Sequence, residues 1–543
     1  MSEDAGTVTA DRQTPGGPAY YTRQATGLVR EISFGSNIAL NVSFISLPLA
    51  VLIATQAPFA FPGASPFWVT VICAALCIFP VLMYGLFMSV MPRSGGDYVF
   101  VSRTLHPWVG FAANFNITAW YLLVIAYFGY LLAPFGFSSA FTTFGIAADS
   151  KRLVDWGTTL GTNKTWGFAI GAVTLVLVAG LMSLSLRRAL QIYKVLFAIS
   201  LIGIVLSILL LLIHGRGDFT SSVQRFGGNY DKVIADAHKA GYEGGATFSF
   251  KNTILAMPLA FASFGYAIVT TYAGGEVRSA RSRGTRAMLA SLAISAVLVA
   301  AMMALASRTF GNDFLGSATF LSNNGAKEYP FGSPSFFFFF VSMLTTSKLL
   351  IALISLSFIV AFIVALPATF LIATRNLFAW SFDRILPDKV SAVDERSHSP
   401  LIANVIVLIV TLIYLALIVW GSSKFLEIFF TAGMAELLTF FVVAIAAIAF
   451  PFTRRALYDG SPIKKSIAGI PVLAIVGVLA LAVYILFFYP LATNDTLGAN
   501  TTTGWVATAI IAGIGILLYP ISYFVNRARG VDLGLAFKQL PPE

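Results

Sequence analysis

Twelve apolar runs of about 20 residues follow one another along the chain, and that length is what a helix needs to cross a bilayer. They fall at roughly 33–57, 66–91, 108–134, 166–186, 190–213, 252–275, 286–307, 347–375, 400–420, 425–450, 467–490 and 503–526. Strands of a membrane barrel would instead alternate over segments of about 10 residues. Lipid offers the backbone no hydrogen-bond partners, so each run has to satisfy itself as a helix. Only 11% of the 543 residues are charged, against about 25% in a soluble domain. The expected fold is therefore an all-α polytopic membrane protein with twelve transmembrane helices.

The net charge of +11 is unevenly spread. If residue 1 is cytoplasmic, segments on that side hold 23 of the 35 Lys and Arg, including the short loop Gly275 to Arg286. This agrees with the positive-inside rule, puts both termini in the cytoplasm of a cell-membrane protein, and leaves no charge that needs a nucleic-acid partner. Residues 1–27 are polar and rich in Gly, Pro and Thr; a disordered tail is expected there, not a signal peptide. Cys73 and Cys77 share one helix face inside a span and read as small core residues. The four histidines lie at or beyond span ends, with no HExxH, which argues against a haem or metal enzyme, and no P-loop supports an ATP-driven pump. No cofactor or metal is expected.

Two outer loops are long. Residues 214–251 are expected to carry a short surface helix. Residues 308–346 include Phe336–Phe340, which reads as a helix dipping into the outer mouth or as the outer end of span eight; the first is favoured, because span eight would otherwise run too long for normal tilt.

Span one contains the most informative stretch, Asn41 to Leu52. Val42, Ile45 and the serines lower helix propensity and Pro48 removes a donor. The expectation is a helix from Phe34 to Val42, a short extended break over Ser43, Phe44, Ile45 and Ser46, and a half-helix from Leu47 capped by Ser46. The break comes about halfway through a core of roughly 30 Å. Such a break survives where it is buried in protein or lines a cavity, and half-helix N–H groups favour a carboxylate. Span six repeats the feature: Ser263, Phe264, Gly265 and Tyr266 lie at a similar depth, and Gly265 permits the backbone to leave helix geometry. Spans one and six cross in opposite senses. Two interrupted helices related in this way point to the binding site of a secondary transporter. Kinked structural helices are the plainer alternative.

Ionisable groups inside spans are rare and often functional. Lys194 in span five reads either as an ion-coupling residue or as a side chain snorkelling to water. Glu436 in span ten reads as a proton carrier, a partner for a cationic substrate, or a packing carboxyl. Asn37 and Asn41, one turn apart, and Asn114 and Asn116 read first as interhelical contacts. Arg30 and Glu31 at the base of span one, with Arg375, Asp383 and Arg384 at the exit of span eight, are candidates for an inner gate or are solvated interface charges. Phe264 and Tyr266 are placed to cap a substrate or simply to pack.

Four stretches carry a family resemblance: Arg30–Phe34, Met91–Pro107 (MPRSGGDYVFVSRTLHP), Phe264–Ala280 and Ala373–Pro387. Together they resemble the amino acid–polyamine–organocation (APC) superfamily over about residues 28–450. The resemblance implies a leucine-transporter-like 5+5 inverted repeat plus two peripheral helices, and alternating access. On that basis 28–213 is the first repeat, 214–251 an outer loop, 252–450 the second repeat, 451–526 the peripheral pair and 527–543 a cytoplasmic tail. It also implies a lysine in span five, here Lys194, near the first break of proton-coupled members. Many relatives have a Gly-Ser-Gly-type break where this chain has Ser43-Phe44-Ile45-Ser46, without glycine. The implied function is a permease for amino acids, expected to carry a neutral one coupled to H+ or Na+ or by exchange. A polyamine or other organic-cation carrier of the same fold is the alternative. The implied partners are that small-molecule substrate and membrane lipid.

Overall fold

The computed structural model describes residues 28, 30–245, 247–531 and 533–537. The tail expected over 1–27, and the end of the one expected over 527–543, lie outside the described residues. Span one is a pair of helices, α1 (Phe34–Ile45) and α2 (Leu47–Ala54), followed by a single turn, α3 (Ala57–Ala60). Span two is α4 (Pro66–Val90), and a short helix α5 (Asp97–Thr104) precedes span three, α6 (Pro107–Leu131). Span three does not stop where expected. A π-helical turn over Leu132–Phe137 carries it into α7 (Ser138–Ala147), so that one helical run covers Pro107–Ala147. The π-turn supplies the extra residue that accommodates Pro134, which has no N–H to give. Then come α8 (Lys151–Thr162), span four α9 (Lys164–Met182) and span five α10 (Leu186–Ile213).

The 214–251 loop holds two helices, α11 (Arg216–Arg225) and α12 (Tyr230–Lys239). Span six is α13 (Phe250–Leu255) and α14 (Met257–Phe264), and span seven is α15 (Thr285–Thr309). The next outer loop holds α16 (Asn312–Asn323) and α17 (Phe337–Met343), the latter being the separate phenylalanine helix foreseen from the sequence. Spans eight to ten are α18 (Lys348–Phe382), α19 (Leu401–Trp420) and α20 (Ser423–Thr453). A turn α21 (Arg455–Asp459) leads to α22 (Val472–Thr493), α23 (Thr502–Ala528) and α24 (Leu533–Ala536).

Among the described residues eleven helical runs are long and apolar enough to cross a membrane. The twelfth expected span, 252–275, is absent from that set because it is not one helix but two short ones followed by turns.

The packing repeats itself with a shift of five spans. α1 packs on α15 as α14 packs on α4; α9 meets α18 as α19 meets α6; α10 meets α18 as α20 meets α6. Equivalent spans are five apart in order, an odd shift, so the two repeats run in opposite senses. α22 rests on α20 and α4, and α23 rests on α6 and α20, outside the repeats. Exposed Val, Leu and Ile side chains such as Leu177, Val195, Val297 and Leu517 face outward, as lipid contact requires.

The end of the bundle carrying Ile32, called here the N-terminal face, is closed by backbone bonds between distant segments. Ile32 N–H donates to the Glu276 carbonyl at 2.9 Å and Arg278 N–H donates to the Ile32 carbonyl at 2.9 Å. Gly95 N–H donates to the Tyr272 carbonyl at 2.9 Å. The opposite face is covered by α11, α12, α16 and α17. There the Phe219 ring sits 4.6 Å from Phe310 and 5.2 Å from Phe314, centroid to centroid, and Tyr242 donates to the Pro58 carbonyl at 2.9 Å.

Candidate functional site

The first break is shorter than the sequence suggests. α1 starts on the Ser33 cap, whose hydroxyl accepts from Ser36 N–H at 3.3 Å, and stays helical through Ser43, Phe44 and Ile45. All three are buried, and their packing outweighs the modest propensity penalty of β-branching. The interruption is confined to Ser46, which is left-handed at φ 51°, ψ 78°. Ser46 does not cap α2 with its side chain, contrary to expectation; its buried hydroxyl has no partner. The first α2 bond runs from Ala50 N–H to the Ser46 carbonyl at 2.8 Å. The first-turn donors of Leu47 and Leu49 therefore precede the helix's own ladder, while Pro48 has none to offer. A left-handed L-residue costs about 1–2 kcal/mol, which glycine avoids. Ser46→Gly is thus expected to raise stability by up to about 1 kcal/mol, and Ser46→Val to lower it by about 1–3 kcal/mol, read as opposite shifts in detergent-micelle melting. Equal melting of the two variants would contradict the left-handed assignment.

The second break is longer than expected. α14 ends at Phe264, and no α-helix resumes before Thr285. Residues 265–268 are turns, Val269–Thr271 and Gly274–Glu276 are single 3₁₀ turns, and Ser279 is left-handed at φ 57°. A run of β-branched Ile268, Val269, Thr270 and Thr271, followed by Gly274 and Gly275, has little helix propensity to resist this.

The two breaks touch. The Phe44 ring lies 5.3 Å from Tyr266, edge to face, and 6.1 Å from Tyr121 of α6; Tyr121 and Tyr266 are 6.2 Å apart. Asn41 Nδ2 donates to Asn37 Oδ1 at 2.7 Å and to Thr270 Oγ1 at 3.1 Å, and Thr270 Oγ1 donates to Asn37 Oδ1 at 3.0 Å. The two asparagines thus tie α1 to the unwound half of span six, an interhelical role. Tyr266 hydroxyl donates to Glu436 Oε2. Glu436 is held toward the breaks because Asn116 Nδ2 fixes α20, donating to the Ala435 carbonyl at 2.9 Å and to Thr439 Oγ1 at 3.1 Å. The buried hydroxyls of Ser43, Ser46, Ser263 and Tyr121 have no protein partner. Unpaired buried polar groups are costly, so a cluster of them beside two broken helices is what a polar guest would satisfy.

Lys194 is not brought to this place. It is exposed, between exposed Ile192 and Val195, while its neighbour Tyr193 turns inward and reaches the Ala39 carbonyl at 3.4 Å. Arg30 is exposed and contributes its carbonyl, which accepts from Arg278 Nε at 2.9 Å. Glu31 pairs with Arg278 at 3.3 Å near the surface. Asp383 does not meet Arg30. It is buried and takes both oxygens to Arg103 Nη2, at 2.9 and 2.6 Å, plus the Tyr98 hydroxyl at 2.7 Å. Arg375 forms a buried fork on Glu276, Nε to Oε1 at 2.6 Å and Nη2 to Oε2 at 2.9 Å. These two pairs join the scaffold span α18 to α5 and to the span-six exit. Arg103 and Tyr121 escaped the reading of the sequence: the first lies in a polar loop segment, the second among ordinary span aromatics.

The broken pair, the mirrored packing and the buried pairs across one face describe a carrier. The family described as amino acid permease matches residues 49–532, most of the chain. A comparison with curated individual proteins returns no match. With that match running through both repeats and the peripheral helices, the chain belongs to the amino acid permease family, a family of APC-type membrane transporters.

Proposed function

We propose that this permease carries neutral amino acids by alternating access, driven by H+ or Na+ or by exchange, in a cell membrane with both termini in the cytoplasm. The observation that carries the reading is the contact between the two breaks, with Phe44 5.3 Å from Tyr266. The N-terminal turn of α2 attracts a carboxylate and the C-terminal end of α14 attracts an ammonium, because the partial charges of helix ends have those signs. Phe44, Tyr121 and Tyr266 then meet the substrate side chain. The Arg375–Glu276 and Arg103–Asp383 pairs hold the N-terminal face shut and part when spans one and six rock. A polyamine or other organic cation is the second reading, favoured by Glu436 and the three rings, which together suit a cation.

Protein in liposomes loaded with unlabelled amino acids is expected to take up radiolabelled neutral amino acids by counterflow. Glu436→Gln is expected to retain that exchange within about threefold, since Gln keeps an acceptor for Tyr266. Failure to exchange any amino acid, with exchange of spermidine abolished by Glu436→Gln, selects the second reading.

A further inference from the structure

Asp97 is a buried carboxyl that neither reading uses. It lies outside the spans, in the segment between α4 and α6, at the end of the Ser94-Gly95-Gly96 turn, and is 1% exposed. Its Oδ1 accepts from Asn114 Nδ2 at 2.7 Å and from Tyr98 N–H at 3.0 Å. Its Oδ2 has no hydrogen-bond partner, nor have the hydroxyls of Tyr84, Tyr121 and Tyr272. These phenols, with that of Tyr484 on α22, are the titratable groups facing it: Tyr84 from α4, Tyr121 from α6 and Tyr272 from the span-six exit. Of the cations nearest in its own segment, Arg103 is engaged by Asp383 and Arg93 donates to the Pro92 carbonyl. The Tyr121 ring lies 6.1 Å from Tyr272 and 6.2 Å from Tyr266, so the carboxyl under Tyr272 sits next to the substrate site rather than in it.

The turn builds this arrangement. Gly95 has φ +105° and Gly96 φ +48°, and a Cβ on Gly96 would lie 2.7 Å from the Tyr272 ring. Only glycine lets that ring close over the turn. Tyr272 also accepts, through its carbonyl, from Gly95 N–H, so the lid over Asp97 is the span-six exit itself.

We propose that Asp97 is a proton-binding site of the transport cycle, neutral while the N-terminal face is closed and ionised when the span-six exit withdraws. The inference rests on the carrier reading above. The step is a simple acid dissociation: on opening, the Oδ2–H bond breaks and the proton passes to water; on closing, Asp97 takes a proton back. Burial pushes the carboxyl up to about 7 in the closed form, although the Asn114 amide and the Tyr98 N–H pull it down. In open, water-filled surroundings it returns toward the ordinary carboxylate range, near 4. Closure is therefore favoured at low pH, and opening gains as pH rises from about 4 through about 7, by up to tenfold per pH unit.

Two measurements test this. In counterflow at equal pH on both sides, with a radiolabelled mixture of the proteinogenic amino acids, wild-type exchange is expected to inflect near pH 7. Asp97→Asn exchange is expected to be flat, and the Asn114→Ala inflection to move to higher pH, because the amide donor to Oδ1 is lost. Infrared difference spectra of the detergent-solubilised protein, taken in a Glu436→Gln background and stepped from about pH 5 to about pH 9, should show a protonated-carboxyl band bleaching when Asp97 is present and missing from Asp97→Asn. A band unchanged in Asp97→Asn, or no such band when Asp97 is present, overturns the proton site. Because the spectra need no transport, they decide the matter even if counterflow fails and the carrier reading falls with it.

Discussion

Arg375→Met is expected to destabilise the protein by about 3–5 kcal/mol, because it leaves Glu276 charged and buried without a partner. The carboxylate and guanidinium are 1% and 4% exposed and bonded through both oxygens, so water cannot replace the lost fork. Denaturant unfolding in detergent micelles would read the loss directly. Adding Glu276→Gln to the same protein should restore most of it, since the orphaned charge is then gone; additive losses at the two sites would contradict the pair. Arg278→Ala, which breaks the exposed contacts with Glu31 and the Arg30 carbonyl, should cost about 1 kcal/mol. If Arg375→Met and Arg278→Ala melt alike, the buried pair does not hold the N-terminal face.

Gly265→Leu is expected to abolish transport in a protein that still assembles. A Cβ at Gly265 runs into the Phe261 ring. That ring has nowhere to go: it packs 4.8 Å from Phe487, 6.1 Å from Tyr484, 6.2 Å from Phe440 and 6.4 Å from Tyr266. Overpacking of this kind costs about 1–3 kcal/mol, roughly 5–150-fold in any equilibrium it opposes. It falls at the join of α14 and the unwound segment, where the proposed substrate site lies. Gly180→Leu, at a place where a Cβ meets nothing within 4 Å, is the matched control and should exchange amino acids like wild type. Wild-type exchange by Gly265→Leu would remove this break from the site.

What could be read from the chain was set by local chemistry. Pro48 and Gly265 announced two interruptions because a missing donor and a missing Cβ act on their own residue. Phe336–Phe340 announced a separate helix because span eight could not absorb it. The lengths of the breaks were not legible. Ser46 alone carries the first, since burial of Phe44 and Ile45 keeps the preceding turn helical, while glycines and β-branched residues let the second spread to Ser279. Facing was the other blind spot. Lys194 and Tyr193 are neighbours, and only packing decides which of them looks toward α1. Partners far apart in sequence stayed hidden: Asp383 could be placed at a span exit, but nothing local says that Arg103, 280 residues earlier, is what it holds. Asp97 is illegible for a similar reason. A polar residue between two spans suggests solvent, and here the span-six exit shuts solvent out.

The bonds between Ile32 and the 276–278 segment use main-chain atoms only. Side-chain replacement cannot unpick them, short of proline, so this yoke between the first and sixth crossings is indifferent to sequence drift. The entry of the first crossing and the exit of the sixth are thereby laced main chain to main chain, whatever residues come to decorate the join.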